Sequence, residues 1–301
     1  MTRDEDGHPV DILCRDGVTL HGHIWMASAD RPIGAVIINA ATGVRARFYH
    51  RYARFLAAHG FEVLTCDYRG IGLSRPARLR GCGYRWRDWG KLDCDAALRF
   101  MRAHRTDAPL MVVGHSIGGF LPGLAESAPL IDRILTVSAQ YAWWGDYAPR
   151  HRLPLFLKWH VAMPLLTALF GYFPGRRLGW LEDLPAGVAF EWAFRGPRFE
   201  RSHPPEARAE AVRRMAAVEA RILAVAMTDD PIGTLPAVRR TLACYRNAMR
   251  AALLLSPRDY GREKIGHFDL FRENHAEGFW RDTLTWLRDG DIPRPERLVI
   301  P

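Results

Sequence analysis

Short apolar runs alternating with segments of helical periodicity constrain this chain more than any other feature. The runs are residues 35–38 in GAVIINAATG, then FEVLTCD (61–67), PLMVVGH (109–115), DRILTVSA (132–139), RILAVAMTDD (221–230) and MRAALLLSP (249–257). Such runs read as strands buried in a sheet. FYHRYARFLAAH (48–59), DWGKLDCDAALRFMRAH (88–104), PAVRRTLACYRNA (236–248) and NHAEGFWRDTLTWLRDG (274–290) space their apolar residues as helices do. The alternation predicts an α/β fold with a mostly parallel central sheet and helices on both faces. A hairpin precedes it, because Asp16-Gly17 separates two strand-like stretches in VDILCRDGVTLHGHIWM (10–26). The tail DGDIPRPERLVIP reads as an extended surface segment.

Residues 141–220 interrupt this rhythm. Fourteen of the first 60 are aromatic, against 11% of the whole chain, and prolines and glycines cut the interval into short helical pieces. The expected organisation is a core domain from 1–140 and 221–301, with an aromatic-rich lid, 141–220, inserted between two strands. Trp143, Trp144, Trp159, Trp180 and Trp192 fall in it, and most are expected to form the lid's own small core.

The net charge of +9 does not argue for nucleic acid. Only three of the 42 basic residues are lysines, and the arginines are scattered without a reading motif. The five cysteines lack metal-ligand spacing, so no metal site is expected. The acidic amino terminus does not read as a secretory signal. The apolar stretch 161–173 reads as too short for a membrane span and is interrupted by Pro164 and Gly171. A cytoplasmic protein with no membrane span is expected, and a homo-oligomer is left open.

The chemistry centres on PLMVVGHSIGGFLPGLA (109–125), where a strand runs into Gly-His-Ser-Ile-Gly. Glycines at 114 and 118 permit a sharp turn that lifts the Ser116 hydroxyl out of the fold. A helix expected from there to about Ala128 would aim backbone N–H groups at developing negative charge. A serine hydroxyl needs a base. His267, in KIGHFDLF between the last apolar run and the final helix, is the candidate. An acid must fix its tautomer. AVAMTDDPIGT offers Asp230, preferred, and Asp229, expected to face backbone, with Asp146 a third option.

Together these residues resemble the α/β-hydrolase superfamily, within it the serine-aminopeptidase-like and lysophospholipase-like hydrolases. The order Ser116, Asp230, His267 is the family's order of nucleophile, acid and base. The resemblance implies an oxyanion hole from the N–H groups of Ile117 and Ala41, the latter in NAATG. Where many members carry His-Gly, this chain has Asn39-Ala40, so Ala40 and Thr42 stay open beside Ala41. CDYRGIGLS is also common in the superfamily, and Asp67, Arg69 and Ser74 are expected to hold that loop.

The expected function is hydrolysis of a carboxylic ester or thioester of a hydrophobic small molecule through an acyl-enzyme, without cofactor or metal. His115, Trp143 and Trp144 are the candidate substrate contacts. An acyltransferase, an amidase or peptidase with the same triad, or a ligand-binding protein on a hydrolase scaffold are the alternatives.

Overall fold

In a computed structural model, residues 7–29 and 31–300 are described; residues 1–6, which carry most of the acidic terminus, lie outside them. The predicted hairpin forms β1 (His8–Leu13) and β2 (Thr19–Trp25). The next four runs become β3 (Gly34–Asn39), β4 (Phe61–Cys66), β5 (Leu110–His115) and β6 (Arg133–Val137). After β6 a small hairpin pairs β7 (Tyr172–Phe173) with β8 (Leu184–Pro185). The remaining strands are β9 (Arg221–Met227), β10 (Arg250–Leu255) and β11 (Leu298–Ile300).

Among the described residues, the main sheet has nine strands in the order β1-β2-β4-β3-β5-β6-β9-β10-β11. The six from β4 to β10 run parallel, and antiparallel strands close both edges. Every residue of β3, β4 and β5 is buried, which explains why their sequences do not alternate. The hairpin strands β1 and β2 do alternate toward one covered face. All six parallel strands end on one side of the sheet, and the loops there gather Ala41, Ser116, Asp230 and His267.

Three expectations need correction. The tail is not merely extended surface, because β11 pairs antiparallel with β10 as the ninth strand. No α-helix runs from Ser116 to Ala128. The chain forms separate 3₁₀ turns at Ser116–Gly119, Leu121–Leu124 and Ala128–Leu130. Three glycines and the N–H-less Pro122 make a continuous helix costly there. Residues 161–170 of the apolar stretch 161–173 belong to a longer helix, Pro149–Phe170, whose 22 residues are long and apolar enough to cross a membrane by length and composition, while Tyr172–Phe173 form β7. Pro164 does not break it, since the wider π turn Leu157–Ala162 just before it absorbs the missing donor. Gly171, at φ 74°, ends it as a left-handed cap.

The segment between β6 and β9 also holds the helices Ala186–Ala193 and Arg208–Ala216. Trp159 stacks on Trp192 with ring centres 4.7 Å apart and meets Trp180 edge-on at 5.6 Å. Those three tryptophans pack together within this segment, Trp159 and Trp192 buried as part of the main core and Trp180 partly buried against it. The loop after β4 is held as its residues suggest. Asp67 accepts the Ala46 and Leu73 N–H groups at 2.7 and 2.8 Å, and Ser74 donates to the Asp67 carbonyl. Buried Arg69 pairs with Asp93 and Asp16, each at 2.6 Å.

Candidate active site

The last residue of β5 is His115, and the next, Ser116, has φ 55°. A non-glycine residue at positive φ is strained, and the surroundings hold it there. A Cβ on Gly114 would lie 2.4 Å from Gly119 Cα, and one on Gly118 would lie 2.2 Å from the Asn39 carbonyl oxygen. The glycines are therefore required by close backbone approach to β3 and to the turn itself. Ser116 begins a 3₁₀ turn, so the first N–H groups of that turn, Ile117's among them, lack intrahelical partners.

Asp230 follows β9 and is 3% exposed. Its Oδ2 is 2.7 Å from His267 Nδ1, while Oδ1 accepts the N–H groups of Ile232 and Gly233, both at 2.8 Å. Burial alone would raise this carboxyl, but the adjacent His267 charge and these hydrogen bonds win and bring it down to about 2. An ionised Asp230 then holds a proton on Nδ1 and leaves Nε2 as the imidazole's acceptor. Asp229 does something else: its Oδ2 accepts the Ile265 and Gly266 N–H groups at 2.8 and 2.9 Å, fixing the loop that delivers His267. Asp146 is committed to Arg240, with contacts of 2.5 and 3.0 Å.

Among the described residues, Ser116 Oγ is hydrogen-bonded by Gln140 Nε2 at 3.4 Å, and no Ser116–His267 hydrogen bond forms. Gln140 also donates its N–H to the Ser116 carbonyl at 3.3 Å.

Behind the serine runs a buried polar chain. Ala41 N–H donates to the Tyr49 hydroxyl at 3.0 Å; Tyr49 Oη lies 2.7 Å from His115 Nδ1; His115 Nε2 lies 2.8 Å from the His267 carbonyl oxygen. A carbonyl only accepts, so Nε2 carries the proton, Nδ1 is bare, and Tyr49 must donate to it. Burial, then the neighbouring His267, hold His115 neutral down to about 3. Burial likewise raises the Tyr49 hydroxyl far above its ordinary range.

The sequence model of the family described as "Serine aminopeptidase, S33" matches residues 30–198, more than half of the chain. The chain belongs to this family of α/β hydrolases. A protein of Schizosaccharomyces pombe described as a putative monoglyceride lipase is 31% identical over 99 residues, covering 32% of this chain and 25% of that protein. The matched stretch thus spans only a quarter of that relative's length. Among solved structures, a soluble variant of monoglyceride lipase from Saccharomyces cerevisiae superposes with a TM-score of 0.66 at 14% identity, covering 96% of this chain and 97% of that one. An esterase of Pyrococcus furiosus gives 0.59 at 15% identity, covering 96% and 93%. The monoacylglycerol lipase of Paleococcus ferrophilus gives 0.55 at 16%, covering 90% and 99%. At such identities these structures establish a shared fold.

For this hydrolase, two sequence expectations about the site change. His115 is fully buried and spends both ring nitrogens inside the protein, so it is not a substrate contact. The Ala41 N–H is not vacant, because Tyr49 occupies it. Trp143 lies under the Arg240 guanidinium at 4.6 Å, while Trp144 is 37% exposed and packs edge-on against Phe156. Sequence reasoning misses Tyr49 and Gln140. Tyr49 sits at helical spacing among apolar residues and reads as core, and nothing in the sequence marks Gln140.

Proposed function

We propose that this hydrolase cleaves the carboxylic ester of a hydrophobic acyl chain, with a small alcohol such as glycerol as leaving group. The observation that carries the reading is the 2.7 Å Asp230–His267 pair beside a serine held at positive φ where β5 ends. His267 Nε2 removes the Ser116 proton as Oγ attacks the ester carbonyl. The tetrahedral oxyanion is held by the Ile117 N–H group at the start of the 3₁₀ turn. Collapse breaks the C–O bond to the alcohol, which takes the proton from His267 and leaves an acyl-serine. Water, deprotonated by His267, attacks that ester and releases the carboxylic acid and free Ser116. The contact between Ser116 and His267 is expected to tighten once substrate displaces Gln140 from Oγ.

The hydrophobic acyl chain is supported by the relatives described as monoglyceride lipases and by the aromatic-rich insertion, which we read as a lid, 141–220, over a core of 1–140 and 221–301. The family's description as a serine aminopeptidase favours a second reading, amide cleavage by the same residues.

Purified protein presented with monoacylglycerols, p-nitrophenyl esters and aminoacyl anilides separates the two. Ester turnover with idle anilides supports the proposal, and the reverse overturns the ester reading. Ser116→Ala is expected to abolish turnover, by about 10⁶-fold, and to abolish labelling by a fluorophosphonate probe. Retained turnover would remove Ser116 from the mechanism.

A further inference from the structure

The helix Pro149–Phe170 carries Arg150, His151, Arg152 and Lys158 and not one acidic residue. Its inner face is pinned to the protein. Trp159 stacks on Trp192, the His160 ring bonds the Ala193 carbonyl at 2.7 Å, and Met163 and Thr167 are fully buried. Its outer face reverses the usual pattern of a surface helix, in which polar residues meet water. Every exposed residue from 153 to 170 is apolar. Leu153, Leu157, Val161, Leu165 and Leu169 recur every fourth position and are 67, 50, 37, 66 and 72% exposed. Only 28% of the helix's most apolar window is buried, so it is not a core helix.

Cations stand at both ends of this stripe. Arg150 and Arg152 lie at its start, Arg80 reaches the Phe170 carbonyl at 2.8 Å at its end, and Arg176 and Arg177 are exposed just beyond. An apolar stripe about 24 Å long, bounded by arginines and pinned along its other side, suits a helix lying in the plane of a lipid interface. A spanning orientation would break the Trp159 and His160 contacts.

We propose that the outer face of Pro149–Phe170 docks this hydrolase on the headgroup region of an anionic phospholipid bilayer, leucines in the acyl boundary and arginines among the headgroups. Charge decides between this occupant and a second copy of the chain. Two copies would bring together identical acid-free helices with basic ends on chains of net charge +9. Anionic lipids neutralise those same cations, each strengthening attachment by roughly fivefold. The inference does not rest on the ester reading.

The test is cosedimentation of the full chain with vesicles of ether-linked lipids, which an ester hydrolase cannot cut. Phosphatidylcholine alone is compared with phosphatidylcholine mixed with phosphatidylglycerol, at low and high salt. The wild type is expected to bind the anionic vesicles, more weakly at high salt. Leu157→Glu with Leu165→Glu, both on the exposed face, is expected to weaken binding more than about tenfold, while turnover of a short water-soluble ester stays unchanged. Three results overturn the proposal: no wild-type binding to anionic vesicles at low salt; equal binding by the double variant; or a concentration-dependent dimer, lost in the double variant, without vesicle binding. The last would assign the face to a second copy.

Discussion

The loops at the carboxyl ends of the parallel strands and the outer face of Pro149–Phe170 treat their side chains in opposite ways. Among the loops, Ala41, Tyr49, His115, His267 and Asp230 are linked in one series of hydrogen bonds, each donor matched to an acceptor. On the helix, leucines stand half to three-quarters exposed, uncovered by the described residues. Fixing buried polar groups costs conformational freedom and is worthwhile only where geometry must be held. Leaving leucines exposed costs burial energy that a second surface can restore. The first region is therefore built to stay put, and the second is left for an encounter. Substitutions in the loops should change turnover and stability, whereas those on the helix should change only where the protein sits.

The largest expected effect in the loops beyond the serine itself separates the two aspartates. Asp230→Asn disturbs the imidazole tautomer and is expected to lower kcat by about 10⁴-fold. Asp229→Asn keeps an acceptor oxygen for the Ile265 and Gly266 N–H groups, and its loss should stay within about tenfold. Steady-state kinetics on one soluble ester decides this. Equal losses would mean that placing the His267 loop matters as much as orienting its ring.

The sharpness of that pair is partly legible in the sequence and partly not. The strands are legible because β3, β4 and β5 are apolar throughout, a pattern that a half-exposed strand would not show. The Ser116 turn is legible because Gly114 and Gly118 stand where only glycine fits. Asp230 beside Pro231 at the end of β9 points toward the loop that carries His267, and the structure pairs them. Other features depend on distant partners. Tyr49 looks like core until His115, 66 residues away, is found to accept its hydroxyl. β11 is a strand only because β10 offers an open edge. The exposed leucines read as ordinary helix pattern, since periodicity tells which residues share a face but not which face is covered.

Next in size is the polar chain itself. Tyr49→Phe leaves the Ala41 N–H and His115 Nδ1 unpaired in the interior, costing about 2–4 kcal/mol. Denaturant unfolding measures that loss. With the link between the Ala41 loop and the His267 loop broken, kcat is expected to fall about 10- to 100-fold with KM little changed. A rise in kcat would instead mean that Tyr49 competes with the oxyanion for the Ala41 N–H.

Acid should reach the same chain through His115. In the folded protein it stays neutral down to about 3, whereas its ordinary value is 6.5. Between those values the unfolded chain binds more protons, so stability falls as pH falls through that window, by up to about 5 kcal/mol at its lower end. Asp230 adds to the loss below its ordinary 3.8, as pH approaches about 2. Burial holds Asp93 up at about 6, which works in the opposite sense, so the measurement is a difference between proteins. His115→Gln should lose the His115 part of the slope between pH 6.5 and 4 in denaturant titrations. An unchanged slope would show that His115 does not carry the acid sensitivity.

The smallest expected effect lies where the two regions meet. Trp144 comes shortly after β6, is 37% exposed, and packs against Phe156 at the start of Pro149–Phe170. Of the two candidate substrate tryptophans it is the more exposed, Trp143 being partly buried with the Arg240 guanidinium over its ring. If Trp144 meets the acyl chain, each added methylene should raise kcat/KM by about fourfold until the contact is full, since burying one is worth about 0.8 kcal/mol. Trp144→Ala should flatten that climb over a series of acyl lengths by a few-fold, leaving the rate with acetate unchanged. An unaltered climb would confine Trp144 to the packing of the helix. The boundary between the fixed loops and the free face would then fall before residue 144, with the acyl site built from other residues.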